Sequence, residues 1–459
     1  MTTAMYAEIG DLEQFLEEHP GVDAIDAVFP DMCGISRGKR LTVEHARQLF
    51  AGGLQIPASM LMLSVTGSCM DPLGKGVSDG DPDTVVRPLA RTLIRVPWSA
   101  TPRGQVTVGF LNDAGGASSF EPRNVLSGVV ARFAEQGLCP VVACELEFCL
   151  VDRERDAYGM PQKPESAVAG RRHKSSQLMS LSHVDDFEGY VSDVTTACRE
   201  LQLPVTALNA EYGGDQFEIN LRHVADAVQS ADHAILLKQV VQNIAVKHDM
   251  RATFMAKPYK ATAGSGMHWH VSLLDEAGNN VFDDGSEQGS SKLRHAVAGV
   301  LEVMPEGMAF FAPNLNSYRR FQPGLFVPMS RTWGYNNRSV ALRVPAGKSE
   351  DRRIEYRVPG ADANPYLALA ALLAGMHCGL ELCGEPTSPK TGNACVKPDA
   401  GLPLRLSDAL RELNAAVTLP DYLGAEYCKV YAATKQLELD AFLSEISARE
   451  VEWYLRSDS

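Results

Sequence analysis

The sequence predicts an α+β protein with a small N-terminal domain and a larger C-terminal domain. The chain has 459 residues and is 45% hydrophobic, which is enough to build a large core and more than one domain. Alternating apolar and polar residues predict strands, and apolar residues at helical spacing predict helices, in both halves of the chain. A small, polar stretch at 112–120 precedes a helix that begins near Pro122. We therefore predict domains at 1–112 and 113–459.

The N-terminal domain is predicted to contain a small mixed sheet and two helices. Helical spacing places Leu12, Phe15 and Leu16 on one face of the first helix. The stretch 66–83 is rich in Gly, Asp, Ser and Pro, which predicts either an ordered functional loop or a flexible one. Strands are predicted at 23–29, 37–41, 92–96 and 106–111, and the second helix at 42–49.

The C-terminal domain is predicted to contain a second sheet and several longer helices. The longest apolar run, 366–383, contains His377 and Glu381, which favours a buried or subunit-facing helix over a membrane span. Strands are predicted at 141–151, 211–220, 251–256, 266–274 and on both sides of Arg338, with helices at 187–201 and 224–248 and four helical segments near the C-terminus.

Charge and cysteine usage narrow the class of protein. The net charge of −14 argues against a nucleic acid or an anionic membrane as partner. The ten cysteines show no C-x-x-C spacing, and the N-terminus lacks the basic and apolar regions of a secretory signal. These features predict a cytoplasmic protein with reduced cysteines.

Several segments place polar side chains two residues apart on a predicted strand, so that they point to one face of the sheet. A solvent-exposed strand face is the commoner explanation for any single segment, but the recurrence favours a shared site. Two further carboxylates flank a glycine bend, which can turn both toward the same space. The residues are Glu145 with Glu147, His268 with His270, Arg353 with Glu355 and Arg357, and, at the bend, Glu211 and Glu218.

Carboxylates gathered on one face predict a cation site. Two such groups in contact repel by about 1 kcal/mol in water and about 4 kcal/mol at an effective dielectric constant of 20, so they share protons or bind cations. Oxygen-rich ligation with one or two imidazoles suits Mg²⁺ or Mn²⁺, and the absence of cysteine ligands argues against structural zinc. Arginines beside such ions are typical of phosphate binding, which predicts ATP as a substrate.

Seven motifs, taken in order, resemble the signature of the glutamine synthetase superfamily over essentially the whole chain. That resemblance implies an N-terminal β-grasp domain, a catalytic domain with a curved antiparallel sheet, and a homo-oligomeric ring, either a hexamer or a stacked dodecamer, with active sites between subunits. The motifs are CELEF (144–148), EYGGDQFEIN (211–220), ATFMAKPY (252–259), GSGMHWHVSL (264–273), NSYRRFQPG (316–324), NNRSVALRVP (336–345) and RRIEYRVPGADANPY (352–366).

The resemblance also implies an activity and a set of site residues. Members of the family use ATP and two or three Mg²⁺ or Mn²⁺ ions to join glutamate to an amine through γ-glutamyl phosphate. The implied metal ligands are Glu147, Glu211 and Glu218 for one ion and Glu145, His268 and Glu355 for another. The implied ATP contacts are His270, Arg343 and Arg353; the substrate carboxylate contacts are Gly264, Arg320 and Arg357; and the implied catalytic residues are Arg320 and Arg338.

One loop departs from the pattern of the ammonia-using members. In PGLFVPM (323–329), Phe326 replaces the glutamate that helps to bind and deprotonate ammonium. A phenylalanine accepts no proton, so we predict an apolar amine pocket formed by Phe326 and Leu325 and extended by neighbouring apolar residues. Packing of Phe326 in the core is the alternative. The neighbouring residues are Val327, Met329 and Trp333.

This departure favours a γ-glutamyl amide of a bulky, hydrophobic or aromatic monoamine. A γ-glutamylpolyamine synthetase is the alternative. The opening segment DMCGISRGKR (31–40) resembles the members that act on polyamines, ethanolamine, alkylamines or aromatic amines more than it resembles the ammonia-using members. A polyamine keeps a second cation that needs a carboxylate or an aromatic cage, and the acids of the 66–83 loop are candidates: Asp71, Asp79, Asp81 and Asp83.

Two other classes remain open at this point. One is a ring-forming structural protein of the same fold without activity, and the other is a phosphotransferase or hydrolase that uses no amine. Retention of all six implied metal ligands argues against an inactive site, because clustered carboxylates give no stability of their own.

Overall fold

The computed structural model describes residues 5–173, 178–213 and 215–455. Two large β-sheets lie in separate parts of the chain, each backed by helices and a hydrophobic core of its own. The predicted α+β class is therefore confirmed. The division at residues 112 and 113 stays a prediction.

The N-terminal part forms a six-stranded mixed sheet with two helices, which is consistent with the expected β-grasp. The strand order is β2-β1-β6-β4-β3, with β5 beside β6, and only the pair β1 and β6 is parallel. The sequence did not predict β3 or β4. The elements are α1 (Ile9–Glu18), β1 (Ala24–Pro30), β2 (Ser36–Thr42), α2 (Val43–Gly52), β3 (Leu54–Pro57), β4 (Asp83–Pro88), β5 (Ile94–Arg95) and β6 (Gly104–Phe110).

The C-terminal part is built on an eight-stranded sheet in the order β10-β11-β7-β13-β16-β15-β14, with β12 beside β7. Its pairs are antiparallel except β14 with β15. Its strands are β7 (Cys139–Asp152), β10 (Val205–Ala210), β11 (Gln216–Leu221), β12 (Met250–Thr253), β13 (Met267–Leu274), β14 (Trp333–Tyr335), β15 (Leu342–Val344) and β16 (Ile354–Tyr356). A separate antiparallel hairpin is formed by β8 (Glu165–Ser166) and β9 (Arg171–Arg172).

Helices pack against this sheet and extend beyond it. Five of them follow β16, where the sequence predicted four, and the long helix α7 was not predicted. The helices are α3 (Pro122–Glu135), α4 (Leu181–Asp185), α5 (Glu188–Glu200), α6 (Ala227–Lys247), α7 (Ser291–Phe311), α8 (Pro365–Leu382), α9 (Leu406–Ala415), α10 (Thr418–Leu423), α11 (Ala425–Ser444) and α12 (Ala448–Tyr454).

The long strand β7 separates the core from the polar side of the sheet. Leu146 and Phe148 are almost completely buried in the core. Glu145 and Glu147 alternate with them and therefore point to the opposite face. The alternation read from the sequence is thus the feature that presents carboxylates on one side of a buried sheet.

Helices α7 and α8 pack unusually closely at the centre of the C-terminal core. A Cβ atom on Gly299 would lie 2.2 Å from the carbonyl oxygen of Gly375, and one on Gly379 would lie 2.0 Å from that of His295. Glycines therefore set the distance between the two helices. Helix α8 is long and apolar enough to cross a membrane, but 78% of it is buried inside the protein, which is the environment of a core helix.

Candidate active site

Neighbouring strands of the large sheet bring predicted ligands directly opposite one another. Glu218 of β11 pairs with Glu147 of β7, and His268 of β13 pairs with Glu145 of β7. Opposite residues of paired strands point to the same face, as do residues two apart on one strand. The four side chains therefore share one surface, which we call the carboxylate face.

The carboxylate face continues across β13, β16 and β15. His270 lies opposite Glu355, and Glu355 lies opposite Arg343. Because His270 is two residues from His268, these side chains extend the same face toward the edge of the sheet. Acidic groups are thus concentrated on β7 and β11, and arginines lie on β15 and at both ends of β16.

Two overlapping groups on this face have the spacing of a metal site. Ligand atoms of Glu145, His268 and Glu355 lie within 4.8 Å of one another, and so do those of Glu147, Glu218 and His268. The imidazole of His268 lies between the groups, with Nδ1 3.4 Å from Glu145 Oε2 and Nε2 3.9 Å from Glu147 Oε1. Carboxylate oxygens with a shared imidazole are a donor set that fits Mg²⁺ or Mn²⁺.

The mutual repulsion of these carboxylates supports that fit. Burial, followed by the charges of Glu147 and Glu145, raises the pKa of Glu218 to about 9. Burial and the charge of Glu147 raise the pKa of Glu211 to about 7. A divalent cation would remove the repulsion that keeps these groups protonated.

Glu211 lies apart from the two three-residue groups. The sequence reading placed it in one ligand set with Glu147 and Glu218, whereas the structure places His268 beside those two. The Glu211 carboxylate instead accepts a hydrogen bond from Asn209 Nδ2 at 2.8 Å. It follows the end of β10, at the bend whose Gly214 lies outside the described residues.

Glu355 is the most completely buried carboxylate of the face and pairs with two arginines. Arg343 Nη1 donates to Glu355 Oε2 at 2.7 Å, and Arg357 Nη1 donates to Oε1. Burial opposes ionisation, but Arg357 and the nearby histidines His270 and His268 lower the pKa of Glu355 to about 2. The carboxylate is therefore ionised and holds both guanidinium groups in place.

His270 connects the acidic and basic parts of the face. Its Nε2 lies 2.9 Å from Glu145 Oε1, and its Nδ1 accepts a hydrogen bond from Arg353 Nε at 3.2 Å. Although burial opposes ionisation, His268 and His270 hold the pKa of Glu145 below its ordinary value. Arg353 is thereby positioned beside the predicted metal ligands.

Arg320 lies in a pocket formed by glycine backbone. It ends the 3₁₀ helix Ser317–Arg320, is 2% exposed, and donates from Nη1 to the carbonyl oxygen of Val358 at 3.1 Å. A Cβ atom on Gly264 would lie 2.5 Å from Arg320 Cγ. Gly264 is thus required sterically by the arginine beside it.

Gln216 is a site residue that the sequence reading missed. It is buried at the start of β11, and its Nε2 donates to Glu147 Oε2 at 3.1 Å and to the carbonyl oxygen of Gly264 at 3.2 Å. The backbone N–H of Gly266 donates to the same Glu147 oxygen at 2.8 Å. The signal was present, because Gln216 lies two residues before Glu218 on one strand face.

Arg338 is not brought into this group. It lies exposed in the turn between β14 and β15, and its side chain forms no hydrogen bond or ion pair with the residues that the structure describes. The predicted catalytic role of Arg338 therefore has no support from contacts within one chain.

The loop after the 3₁₀ helix presents Phe326 to solvent. Its ring is 57% exposed and its backbone is left-handed, with φ of 53°, so packing of this residue in the core is excluded. Leu325 is half-buried. The neighbouring apolar residues do not extend the predicted amine pocket, because their side chains are buried in the core, where they anchor the loop. These residues are Val327, Met329 and Trp333.

The 66–83 loop is ordered by its own acids. Asp71 accepts hydrogen bonds from the backbone and hydroxyl groups of Ser78. Asp79 Oδ1 accepts from the backbone N–H groups of Gly76 and Asp81. Two of the acids considered for a polyamine are thus engaged in loop structure.

A face of carboxylates, imidazoles and arginines on an antiparallel sheet is the arrangement of an enzyme that binds metal ions and phosphate groups, and comparison with known proteins identifies the family. The model of the glutamine synthetase catalytic domain matches residues 119–454. The chain therefore belongs to the glutamine synthetase family, as the sequence motifs indicated. Within it, the chain is a carbon–nitrogen ligase of the γ-glutamyl-amine branch.

The individual relatives agree with this assignment. The γ-glutamylputrescine synthetase PuuA of Escherichia coli (strain K12) is 40% identical over 97% of this chain and 94% of its own length. The glutamate–isopropylamine ligase of a Pseudomonas species is 32% identical over 98% of both chains. A solved structure of a GmaS/ADP complex superposes with a TM-score of 0.83 at 25% identity, covering 97% of this chain and 99% of its own.

Proposed function

We propose that this protein joins glutamate to an amine bulkier than ammonia, at the expense of ATP, through γ-glutamyl phosphate. The exposed aromatic ring of Phe326 carries the proposal, because it stands where an ammonia-using site has a carboxylate. An exposed ring favours contact with a carbon chain and provides no group that binds ammonium through a charge.

We assign the metal ligands to the carboxylate face. Glu145, His268 and Glu355 would hold one divalent ion, and Glu147 and Glu218 another, with Glu211 completing the second set. When bound, these ions neutralise phosphate charge and polarise the transferred phosphoryl group. The hydrogen bonds from Gln216 and Gly266 keep Glu147 oriented for this role.

We assign phosphate and substrate binding to the basic part of the face. His270, Arg343 and Arg353 would contact the ATP phosphates, which the ADP bound by the structural relative supports. Gly264, Arg320 and Arg357 would bind the glutamate carboxylate, since Arg320 and Arg357 are buried where a charged ligand is desolvated. Arg338 would act on the transferred phosphoryl group from the exposed turn between β14 and β15.

The chemistry then follows in two displacements. An oxygen of the glutamate γ-carboxylate attacks the γ-phosphorus of ATP and expels ADP, which gives an acyl phosphate. The amine nitrogen attacks the γ-carbonyl carbon, loses a proton, and expels inorganic phosphate. The first step forms one P–O bond and breaks another. The second forms a C–N bond and breaks a C–O and an N–H bond, and the proton passes to solvent. The buried arginines offset the negative charge on the phosphoryl oxygens.

A hydrophobic monoamine is the first candidate for the second substrate. The PGLFVPM loop contains no carboxylate, and Asp71 and Asp79 are engaged within their own loop. Neither this loop nor these two aspartates would then provide a free carboxylate for a second ammonium group.

A diamine of the putrescine type is the second candidate. Identity of 40% to a γ-glutamylputrescine synthetase over nearly the whole chain favours it. The four-carbon chain of putrescine is itself apolar and suits Phe326, while its distal ammonium would pair with an acid such as Asp83 of a neighbouring subunit.

Release of ADP with matched amines tests these proposals. The purified protein is assayed with glutamate and Mg-ATP in the presence of n-butylamine, putrescine, ammonia or no amine. n-Butylamine and putrescine have the same carbon chain and differ only in the second ammonium, so their ratio of kcat/KM ranks the two candidates. No release with any amine would indicate an inactive ring-forming protein, and release without amine would indicate a hydrolase.

We further propose a homo-oligomeric ring in the cytoplasm, with each active site completed by a neighbouring subunit. The exposed position of Arg338, a residue with a proposed catalytic role, supports completion of the site by a neighbour. The absence of disulfides among the ten cysteines supports the cytoplasm.

A further inference from the structure

A second cluster of metal-binding side chains lies apart from the carboxylate face. One ligand atom from each of His173, His183 and Asp186 lies within 4.8 Å of the other two. His173 follows the hairpin of β8 and β9, His183 is on α4, and Asp186 is the C-cap residue directly after α4. The fold therefore joins a hairpin and a helix through three side chains that metals prefer.

Buried polar atoms without partners mark this cluster as incomplete. His183 is 2% exposed, and neither of its ring nitrogens forms a hydrogen bond within the described part of the chain. Asp215 is completely buried, and neither carboxylate oxygen forms one either. A buried polar group without a partner is destabilising, so several at one position indicate that a ligand satisfies them.

The geometry between Asp215 and His183 is typical of a metal-bound histidine. Nε2 of His183 lies 3.4 Å from Asp215 Oδ1, which leaves Nδ1 for an ion if Nε2 carries the proton. A carboxylate behind a ligating imidazole fixes its tautomer and orientation. The His183 ring also stacks on the Phe217 ring, with 5.6 Å between the ring centroids. It makes an edge-to-face contact with the His173 ring, with 4.6 Å between the centroids.

The charges around the cluster permit a divalent cation. Asp186 approaches His173 Nε2 to 3.1 Å and provides one negative charge. Lys163 also acts electrostatically on His183 and Asp215 and opposes a cation. Burial raises the pKa of Asp215, and a bound cation would favour its ionised form, which balances the charge of Lys163.

We propose that His173, His183 and Asp186 bind a divalent ion of the zinc class, with Asp215 as the carboxylate that orients His183. Two imidazole nitrogens and one carboxylate suit Zn²⁺, in contrast to the oxygen-rich carboxylate face. A water molecule fills the fourth position of a tetrahedral site.

This ion has a structural role. Asp215 lies in the bend between β10 and β11 that also contains Glu211, one of the proposed active-site ligands. The ion ties the β8–β9 hairpin and α4 to that bend, and through it to the edge of the carboxylate face.

Zinc binding by the full chain in excess Mg²⁺ tests this inference, since Mg²⁺ occupies the carboxylate face. The variants His173→Ala and Asp186→Asn each remove one ligand from a partly exposed position. His248→Ala is the matched control, because it removes a histidine that lies 2.9 Å from Asp193 elsewhere on the surface. Circular dichroism and the mass of the assembly establish that each variant is folded.

We expect the wild type and His248→Ala to bind one more Zn²⁺ per chain than the two cluster variants. Zn²⁺ should also raise the Tm of the first pair only, and anomalous scattering at the zinc edge should place the ion between His173, His183 and Asp186. Equal zinc stoichiometry in all four proteins, or anomalous density confined to the carboxylate face, would overturn the proposal.

Discussion

At the scale of single residues, Phe326 is the side chain with the most direct consequence for amine choice. Its exposed ring and left-handed backbone present an apolar surface that the loop anchors hold in place. In Phe326→Glu the apolar contact is lost and a carboxylate that can bind ammonium is gained. We expect kcat/KM for n-butylamine to fall by about tenfold, from loss of roughly 1–2 kcal/mol of apolar contact, and ammonia use to increase.

The control for this change is Tyr158→Glu, which removes an aromatic ring that is 90% exposed in another loop. It should leave kcat/KM for every amine unchanged. If Phe326→Glu also leaves the ratio of n-butylamine to ammonia turnover unchanged, Phe326 does not contact the amine.

Glu218 makes the stability of the metal-free protein depend on pH. Its pKa is about 9 in the folded chain against an ordinary value of 4.5, so between these values the folded state keeps a proton that the unfolded state releases. Stability therefore falls as pH rises through this window. In EDTA we expect the Tm to fall from about pH 5 to about pH 9, and Glu218→Gln to flatten that decline.

Added Mn²⁺ is the control for this measurement, because cation binding replaces the proton and should raise the Tm most at the alkaline end. Parallel Tm curves for the wild type and Glu218→Gln in EDTA would show that Glu218 is not repelled by its neighbours.

Individual site residues were predictable where they alternate on one strand. Glu145 with Glu147 and His268 with His270 follow the period of two, and pairing of β7 with β13 then places His268 opposite Glu145. Gln216 was missed because its role depends on contacts with a different strand and with a glycine carbonyl. Asp215 and His183 were missed for the same reason, since their approach depends on tertiary structure.

At the scale of elements, the close approach of the segment around Gly264 to the 3₁₀ helix Ser317–Arg320 positions the substrate arginine. A Cβ on Gly264 would lie 2.4 Å from the Ala256 carbonyl oxygen as well as against Arg320. We expect Gly264→Ala to lower the free energy of unfolding by about 1–3 kcal/mol through overpacking. It should also raise the KM for glutamate, because Arg320 is displaced.

Gly128→Ala is the matched control for denaturation and steady-state kinetics. Gly128 is in helix α3 with no atom within 4 Å of its Cβ position, so alanine should stabilise the protein by up to about 1 kcal/mol. If Gly264→Ala leaves the KM for glutamate unchanged, Gly264 does not contribute to the glutamate-binding site.

Elements with a clear period were predicted from the sequence, and elements that depend on packing were not. Helix α7 contains Pro305 and two glycines, Gly299 and Gly307, which disfavour a helix locally. Packing against α8 through Gly299 stabilises it nonetheless. Strands β3 and β4 are short and pair with each other next to the irregular 66–83 loop, so their sequences carry little alternation.

At the scale of the whole molecule, the proposed ring makes the active site depend on assembly. Each chain has a mass of 49.8 kDa, so sedimentation or mass photometry should detect six or twelve times that mass. Dilution that dissociates the ring should abolish amine-dependent ADP release in parallel. A monomer with full activity would contradict a site shared between subunits.

The transfer of oxygen from glutamate to phosphate tests the proposed reaction most directly. Glutamate labelled with ¹⁸O in its γ-carboxylate is incubated with the enzyme, Mg-ATP and the preferred amine, and the released phosphate is analysed by mass spectrometry. Attack of the γ-carboxylate on ATP predicts one ¹⁸O atom in each phosphate released. Phosphate without the label, formed together with ADP, would contradict an acyl phosphate and with it the function assigned to the carboxylate face.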